Sequence, residues 1–452
     1  MSQNKSDFLA NKDGHTASTL QFVSAASSAL NGQIKVPGDK SISHRAIMLG
    51  AIADGITEVD GFLYGEDNLA TMAAFHAMGV KIERPAVDRL IIHGVGKHGL
   101  KVPKYALDLG NSGTAMRLLI GLLAGQGFEV ELTGDASLRK RPMARIADPL
   151  IQMGAKISLT ERGRPPVHIH SVHGLKGMTY TLPIASAQIK SALLLAGLYA
   201  QETTTIVEPA PSRDHTERML QSMGYPIDWR APQVSLSSHG KLKGMPIHVP
   251  GDLSSAAFFM VAACITPGSD LIIEAVGINP SRTGILNILK EMGANIEVLN
   301  EYKMGCEPVA DLRIRYSVLH GIKIPKAWVP LAIDEFPVIL IAAACAQGET
   351  LLEGAEELRV KESDRIQAMV DGLTAVGITA QALSDGCRIQ GGSIKGGAVD
   401  SLGDHRIAMA FAVAGLVSKA PITIKDCANV ATSFPTFIDL AMHLGLNIKA
   451  NY

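Results

Sequence analysis

Eight cations, Lys40, Arg45, Arg141, Lys190, Arg213, Lys361, Arg365 and Arg406, stand beside the starts of helix-like stretches, and two acids, Asp334 and Glu362, stand among them. Basic side chains grouped with free backbone N–H groups at helix starts are an arrangement that a phosphate or carboxylate favours. The chain has 42 Lys plus Arg against 43 Asp plus Glu, so such a group is a local feature of a neutral protein. It implies a small polyanion as ligand. Asp334 and Glu362 are then the carboxyl groups available for proton transfer.

The first two cations lie in a stretch that occurs twice. Val36-Pro37-Gly38-Asp39 leads into Lys40, Ser41 and Arg45, and Val249-Pro250-Gly251-Asp252 leads into Leu253, Ser254 and Phe258. An apolar run ending at a glycine follows each copy, so the scaffold is shared and does not itself require the charges at 40 and 45. The other candidates have settings in which capping competes with ligand binding. Asn111-Ser112-Gly113-Thr114 precedes an apolar run at 118–123 and reads either as an ordinary N-cap or as an anion site that Gly113 lets a ligand approach. Arg139-Lys140-Arg141 has the composition of a solvated charge run, although Pro142 restrains the backbone that carries Arg141. Ser186-Ala187-Gln188-Ile189-Lys190 and Pro211-Ser212-Arg213-Asp214-His215-Thr216 each open a helix; capping accounts for the serines but not for Lys190 and Arg213. Asp334-Glu335 before Phe336-Pro337 matches the common placement of acids at a helix N-terminus. In Arg359-Val360-Lys361-Glu362-Ser363-Asp364-Arg365, helical spacing puts Lys361 and Arg365 on one face and pairs Glu362 with Arg365, as an ion-pair ladder also would. Arg406 follows a capping Asp404 and opposes the helix dipole there, which points to a ligand, whereas His405 alone reads as a packed or capping histidine.

These residues must be held by repeated structure. A helix-like segment ending in a bulky apolar residue and a glycine recurs at Met78-Gly79, Met153-Gly154, Met223-Gly224, Met292-Gly293, Val376-Gly377 and Leu444-Gly445. Three residues after the glycine stands Ile82, Ile157, Ile227, Ile296 or Ile448, with Ala380 as the exception. Glycine is the expected left-handed cap and the isoleucine the start of a strand, so the chain reads as six α/β (α+β) units. Three precede the second Val-Pro-Gly-Asp and three follow it. This predicts two domains, residues 37–249 and residues 18–36 plus 250–452, joined by two crossings suited to a hinge. A solenoid of six stacked units is the alternative.

Composition narrows the class. Apolar residues make up 47% and charged residues 19%, as in well-buried globular domains, and 5% aromatics with balanced charge leave no nucleic-acid footprint. The purest apolar run, residues 336–346, is shorter than the roughly 18–20 residues a membrane span needs. Residues 1–17 are polar, lack the apolar core of a signal peptide, and are expected to form a disordered tail. Cys264, Cys306, Cys345, Cys387 and Cys427 are odd in number and scattered, which suits neither a disulfide framework nor a zinc site and fits a cytoplasmic protein.

In chain order, Pro-Gly-Asp-Lys-Ser-Ile-Ser-His-Arg from Pro37, Asn-x-Gly-Thr-Ala-Met-Arg from Asn111, Arg-Pro-Met from Arg141, Ser-Ala-Gln-Ile-Lys-Ser-Ala from Ser186, Arg-Asp-His-Thr-Glu from Arg213, Arg-Val-Lys-Glu-Ser-Asp-Arg from Arg359 and Asp-His-Arg-Ile-Ala-Met from Asp404 resemble the motifs of the 5-enolpyruvylshikimate-3-phosphate synthase family. The resemblance implies two domains, each of three βαβαββ units, closing over phosphoenolpyruvate and shikimate 3-phosphate, with no metal or organic cofactor. It implies transfer of the enolpyruvyl (carboxyvinyl) group to the 5-hydroxyl of shikimate 3-phosphate with release of phosphate, in the shikimate pathway of aromatic amino-acid biosynthesis, and glyphosate as inhibitor. Carried over residue by residue, shikimate 3-phosphate would meet Lys40, Ser41, Arg45, Ser186, Ala187, Gln188, Arg213, Asp334 and Lys361, with Ser186 and Arg213 on its phosphate. Phosphoenolpyruvate would meet Lys40, Asn111, Gly113, Arg141, Gln188, Arg365 and Arg406. Asp334 would accept the proton of the 5-hydroxyl, Lys361 would contact that hydroxyl, Glu362 would protonate the methylene carbon, and Lys40 is grouped with the two acids as catalytic. Neither nucleic acid nor membrane is an implied partner, and a monomer is expected.

The chain departs from the better-known branch of the family at Ser112 and Leu118, which stand for Ala and Pro, at Thr432, which stands for Lys, and at His215, which stands for Tyr. Arg-Asp-His-Thr-Glu from Arg213 and Thr-Ser-Phe-Pro from Thr432 resemble the second, often glyphosate-tolerant branch, yet that branch commonly has Ala where Gly113 stands. A sister family that transfers enolpyruvate to UDP-N-acetylglucosamine usually carries a cysteine before its Arg-Pro pair, and residues 135–141 contain none. A non-catalytic anion-binding relative is the remaining alternative, against which the joint presence of Asp334, Glu362 and the cations argues.

Overall fold

The computed structural model describes residues 20–451, so the tail expected at 1–17 lies outside the described residues. Each of the six units supplies two helices. They are α1 (Lys40–Ala51) and α2 (Glu66–Ala77), α3 (Gly113–Ala124) and α4 (Ala144–Gln152), and α5 (Ala187–Gly197) and α6 (His215–Ser222) in the first half. The second half has α7 (Leu253–Ile265) and α8 (Gly284–Glu291), α9 (Phe336–Cys345) and α10 (Arg365–Ala375), and α11 (His405–Gly415) and α12 (Phe437–His443). Odd-numbered helices are buried over most of their length, and α9 is apolar all round; every residue of α7 and α11 and nearly every residue of α3 and α9 is buried. A helix with no polar face has to lie inside, and these six form the two interiors. Even-numbered helices are the ones that end at the repeated glycines, whose φ values of 75–94° are left-handed as expected of the cap.

A small sheet flanks each unit. In the first half, Asp54–Asp60 and Arg89–Val95 pair antiparallel, and Lys81–Ala86, which contains Ile82, adds to the outer edge. The other five units repeat the antiparallel pairing, and Ala380 lies in a strand, Thr379–Leu383, despite lacking the isoleucine. Three sheets are completed by strands from elsewhere in the chain. Gln21–Ser24 inserts between Ile422–Lys425 and Ile448–Asn451. Asn31–Lys35 runs parallel to Asp270–Gly277, and Ile247–His248 runs parallel to Asp54–Asp60. The first Val-Pro-Gly-Asp thus leaves a sheet of the second half and enters α1 of the first. The second makes the reverse passage into α7.

Two separate apolar cores result. One gathers Ile42 through Val249, and the other gathers Phe22, Leu30, Ile34 and Val36 with Leu253 through Ile448. This is the two-domain arrangement rather than a single stack. The two Val-Pro-Gly-Asp copies pair with each other: Asp39 N donates to Pro250 O at 2.8 Å, and Asp252 N to Pro37 O at 2.9 Å. A Cβ at Gly38 would run into the Gly61 carbonyl oxygen, which accounts for glycine there. Among the described residues no helix is long and apolar enough to cross a membrane.

Candidate active site

The N-termini of all six inner helices meet in the cleft between the two cores. Lys40 and Ser41 open α1, Gly113 and Thr114 open α3, Ala187 and Gln188 open α5, and Ser254, Asp334 and Arg406 mark α7, α9 and α11; all line one cavity of about 90 Å³. Each start brings the positive end of a helix dipole to the cleft. Ten Lys and Arg side chains line the cavity against five Asp and Glu, so the cleft is strongly cationic although the chain is not. The volume is below the roughly 300–1,000 Å³ usual for a small-molecule site, and ion pairs Arg213–Asp334 and Arg141–Glu362 bridge the two halves across it. A second groove of about 440 Å³ adjoins it and shares Ala187, Gln188, Arg213, Asp334 and Lys361.

Asp334, just before α9, takes a hydrogen bond from Arg213 Nη2 at 2.6 Å across the cleft, with Lys361 Nζ at 3.3 Å and Arg365 Nη1 at 3.5 Å from its other oxygen. Glu362 is held the same way, by Arg141 Nη1 at 3.2 Å from the first half and Arg365 Nη2 at 2.6 Å from its own. Burial pushes both carboxyls upward, but the surrounding cations outweigh it. Lys361, Arg213, Arg406 and Arg365 hold Asp334 well below the usual carboxylate range, and Arg365 and Arg141 do so for Glu362. Both are anions as arranged here. Burial, assisted by Lys40, pushes the ring of His405 well below the usual histidine range, so it is neutral.

The cations are themselves positioned. Arg365, fully buried at the start of α10, donates to Asp404, the cap of α11, at 2.8 Å. Arg406 donates to the carbonyl oxygen of Asp334 at 2.9 Å, and Lys40 to Asp67 at 2.9 Å. Arg45 reaches Thr216 and Ser191 at 2.7 and 2.8 Å, and its burial lowers it to about 10. Arg141 donates to Asn111 Oδ1 at 2.6 Å, so Asn111 orients an arginine rather than lining the cavity. Ser186 caps α5 and lines the adjoining groove beside Arg213.

Two expectations are corrected. Lys190 does not face the cleft; its side chain is 1% exposed and sits 2.8 Å from Glu208 and 2.6 Å from Glu217 inside the first half. Its place in the first turn of α5 resembled that of a ligand cation, but the turn aims it inward. Residues 361–365 are not one helical ladder either. A 3₁₀ turn ends at Val360, Asp364 caps α10 by accepting from Gln367 N, and Arg365 is the first residue of that helix. The Glu362–Arg365 pair forms across this break. Within the charge run, Arg139 and Lys140 are exposed while Arg141 is buried.

Arg117, Arg145, Glu357, Asp67 and Arg282 also line the cleft and were not singled out by sequence reasoning. Arg117 lay inside a quoted motif. It donates to Gln188 Oε1 at 2.7 Å, and burial lowers it to about 10. The departures at His215 and Thr432 lie outside the cavity lining: buried His215 contacts Glu307 of the other half at 2.8 Å, and Thr432 donates to Asn429 O at 2.7 Å.

Known proteins align with this arrangement throughout. A family model described as EPSP synthase (3-phosphoshikimate 1-carboxyvinyltransferase) matches residues 24–440. A protein named 3-phosphoshikimate 1-carboxyvinyltransferase from Methylococcus capsulatus is 62% identical over 430 residues, covering 95% of this chain and 98% of the relative. One of the same name from Legionella pneumophila is 60% identical over 430 residues, covering 95% and 99%. The solved structure of EPSP synthase from Acinetobacter baumannii superposes with a TM-score of 0.86 at 56% identity, covering 96% of this chain and all of that one. With a family model matched over residues 24–440 and relatives about 60% identical over nearly its whole length, the chain belongs to the EPSP synthase family.

Proposed function

We propose that this chain is a transferase of the shikimate pathway that moves the enolpyruvyl group of phosphoenolpyruvate to the 5-hydroxyl of shikimate 3-phosphate and releases phosphate. The observation that carries the reading is the pair of anchored carboxylates, Asp334 and Glu362, inside a cavity where basic side chains outnumber acids by ten to five. Two anionic substrates suit such a cleft, and arginines can neutralise phosphate and carboxylate without losing protons of their own.

The proposed roles are those the family resemblance implies. Arg141, Arg365, Arg406 and Lys40 take the phosphate and carboxylate of phosphoenolpyruvate, with Gly113 and Gln188 against it and Asn111 steadying Arg141. Ser41, Arg45, Ser186, Ala187, Gln188 and Arg213 take shikimate 3-phosphate. Glu362 gives its proton to the methylene carbon, making it a methyl, while the 5-hydroxyl oxygen attacks the central carbon and Asp334 takes the hydroxyl proton, with Lys361 and Lys40 beside it. Collapse of the tetrahedral adduct breaks the bond to the phosphate oxygen, phosphate leaving with the proton held by Asp334, and return of a methyl proton to the Glu362 carboxylate restores the double bond. No step needs a metal or an organic cofactor. Phosphate release measured with shikimate 3-phosphate, with UDP-N-acetylglucosamine and with no acceptor tests the reading. Release is expected with the first alone, and release with the second would favour the sister activity.

The domains are proposed as residues 37–249 and residues 18–36 plus 250–452, of which 18–19 and 452 lie outside the described residues, and the paired Val-Pro-Gly-Asp crossings as the hinge on which they close. Monomeric and cytoplasmic, the protein is placed nearer the second branch of the family on Arg213-Asp214-His215-Thr216-Glu217 and Thr432-Ser433-Phe434-Pro435. Glyphosate is proposed to occupy the phosphoenolpyruvate subsite. A Cβ at Gly113 would lie 2.8 Å from Arg141 Nη1 and 3.4 Å from Arg117 Nη1, so alanine would displace the Arg141 head. Disturbing one charge-assisted hydrogen bond costs about 1.5–3 kcal/mol. Gly113→Ala is therefore expected to raise the glyphosate inhibition constant by roughly ten- to a hundredfold. Equal inhibition constants in wild type and variant would remove the steric argument.

A further inference from the structure

One cation at the floor of the cleft has no part in the steps above. Arg282 is 3% exposed and comes from the loop that follows strand Asp270–Gly277 in the second half. Its Nη1 donates to Asp39, and its Nη2 donates to Asp252 Oδ1 at 3.1 Å and to Ser254 Oγ at 2.6 Å. Ser254 Oγ passes the connection on to Glu335, the neighbour of Asp334. Asp39 and Asp252 are the equivalent acids of the two Val-Pro-Gly-Asp copies. Each caps the helix it precedes, accepting from Ile42 N at 2.9 Å and from Ser254 N at 2.8 Å. Asp252 Oδ2 also accepts from Lys40 N at 3.3 Å. One planar fork thus ties the start of α1 to the start of α7 and both to the segment that presents Asp334. From the same loop, Asn279 donates at 2.7 Å to Asp214, the residue after Arg213.

We infer that Arg282 is a positioning residue for the transfer reaction: from the pivot between the two chain crossings it fixes the first turn of α1, with Lys40 and Arg45, against the Asp334 edge of the other half. Three buried carboxylates, Asp39, Asp252 and Glu335, converge on this one guanidinium. Without it they would repel one another and release both helix starts. Lysine keeps the charge but cannot span two acids, since an ammonium lacks the planar two-pronged donor set.

The inference rests on the proposed transferase reading, so wild type is assayed alongside. Arg282→Lys is expected to lower kcat/KM with shikimate 3-phosphate and phosphoenolpyruvate by about ten- to a hundredfold, the scale of a small misplacement of reacting groups. KM is expected to rise for both substrates, and the fall in radius of gyration when wild type binds shikimate 3-phosphate should be diminished. Asp39→Asn keeps a capping side chain and removes only the charged link. It is expected to change kcat/KM in the same direction, which keeps the test decisive if Arg282→Lys fails to fold. Wild-type kinetics and compaction in the folded variants would overturn the inference, as would losses confined to thermal stability. Wild type that releases no phosphate with shikimate 3-phosphate would instead overturn the reading on which the inference rests.

Discussion

Replacing Glu362 by glutamine is expected to lower kcat by about 10²–10⁴-fold, and Asp334→Asn by a similar factor, in the phosphate-release assay. Both substitutions keep the side-chain shape and one of the two accepting oxygens, so the loss reports the carboxyl chemistry rather than a cavity. Wild-type turnover in both variants would end the assignment of these two residues as acid and base. Glu362 carries a further expectation, because the reaction needs it protonated while Arg365 and Arg141 keep it an anion in this arrangement. Those arginines are also the proposed partners of phosphoenolpyruvate. Once the ligand's negative charges face them, their pull on Glu362 is offset, and burial, the largest influence on that carboxyl, is left to raise its proton affinity. Binding should therefore take up a proton. Calorimetry of phosphoenolpyruvate and shikimate 3-phosphate binding to Asp334→Asn, in buffers of different ionisation enthalpy near neutral pH, should show the uptake. Adding Glu362→Gln should abolish it. In wild type, kcat should fall as pH rises through the bound-state value of Glu362, because the acid form is the active one. The acid limb contributed by Asp334 to kcat/KM should lie below the ordinary carboxylate range, because the base must be ionised and its proton affinity is held down.

Lys190→Met is expected to destabilise the first half by about 3–5 kcal/mol, the usual cost of stripping one partner from a buried charge group. Burial opposes all the charges here. For Lys190 two carboxylates outweigh it and keep the ammonium charged. For Glu217, buried and sharing that ammonium with Glu208, they do not, and its carboxyl is held above the usual range. Removing the lysine would take away the main compensation for Glu217. The chain has two tryptophans, Trp229 in the first half and Trp328 in the second. Urea unfolding followed by Trp229 fluorescence in a Trp328→Phe background therefore isolates the affected half. Its midpoint should fall in Lys190→Met and partly recover in Lys190→Met with Glu217→Gln, whereas an unchanged midpoint would contradict the buried-pair account.

Much of the fold could be read from the sequence because it follows local rules. The glycines at 79, 154, 224, 293, 377 and 445 have the positive φ that a helix end requires, and the all-apolar runs of α7 and α9 could only be interior. Seven of the eight cations reach the cleft for a related reason: a cation beside a helix start is where the helix points. Lys190 fails because its partners, Glu208 and Glu217, are 18 and 27 residues away and nothing local announces them. Lys361 and Arg365 were spaced like helical neighbours, yet Asp364 caps α10 and starts the helix at Arg365, leaving Lys361 outside it. Arg282 and Arg117 carry no local signature, since their partners lie about 30 or more residues away, at Asp39 and Asp252 for Arg282 and at Gln188 for Arg117. Strand exchange is equally non-local: nothing within Gln21–Ser24 indicates that it sits between strands more than 390 residues further on.

That exchange constrains the order in which a growing chain can complete itself. Gln21–Ser24 and Asn31–Lys35 leave the ribosome early but belong to sheets whose other strands begin at Asp270 and extend to Asn451. At roughly 5–20 residues per second, the first strand waits tens of seconds for its neighbours. The first half has no such delay, since its last borrowed strand, Ile247–His248, follows directly on the rest of its core. During synthesis the protein is therefore a finished half with two unpaired strands ahead of it. Those strands are the segments that most need protection from mispairing until the C-terminus arrives.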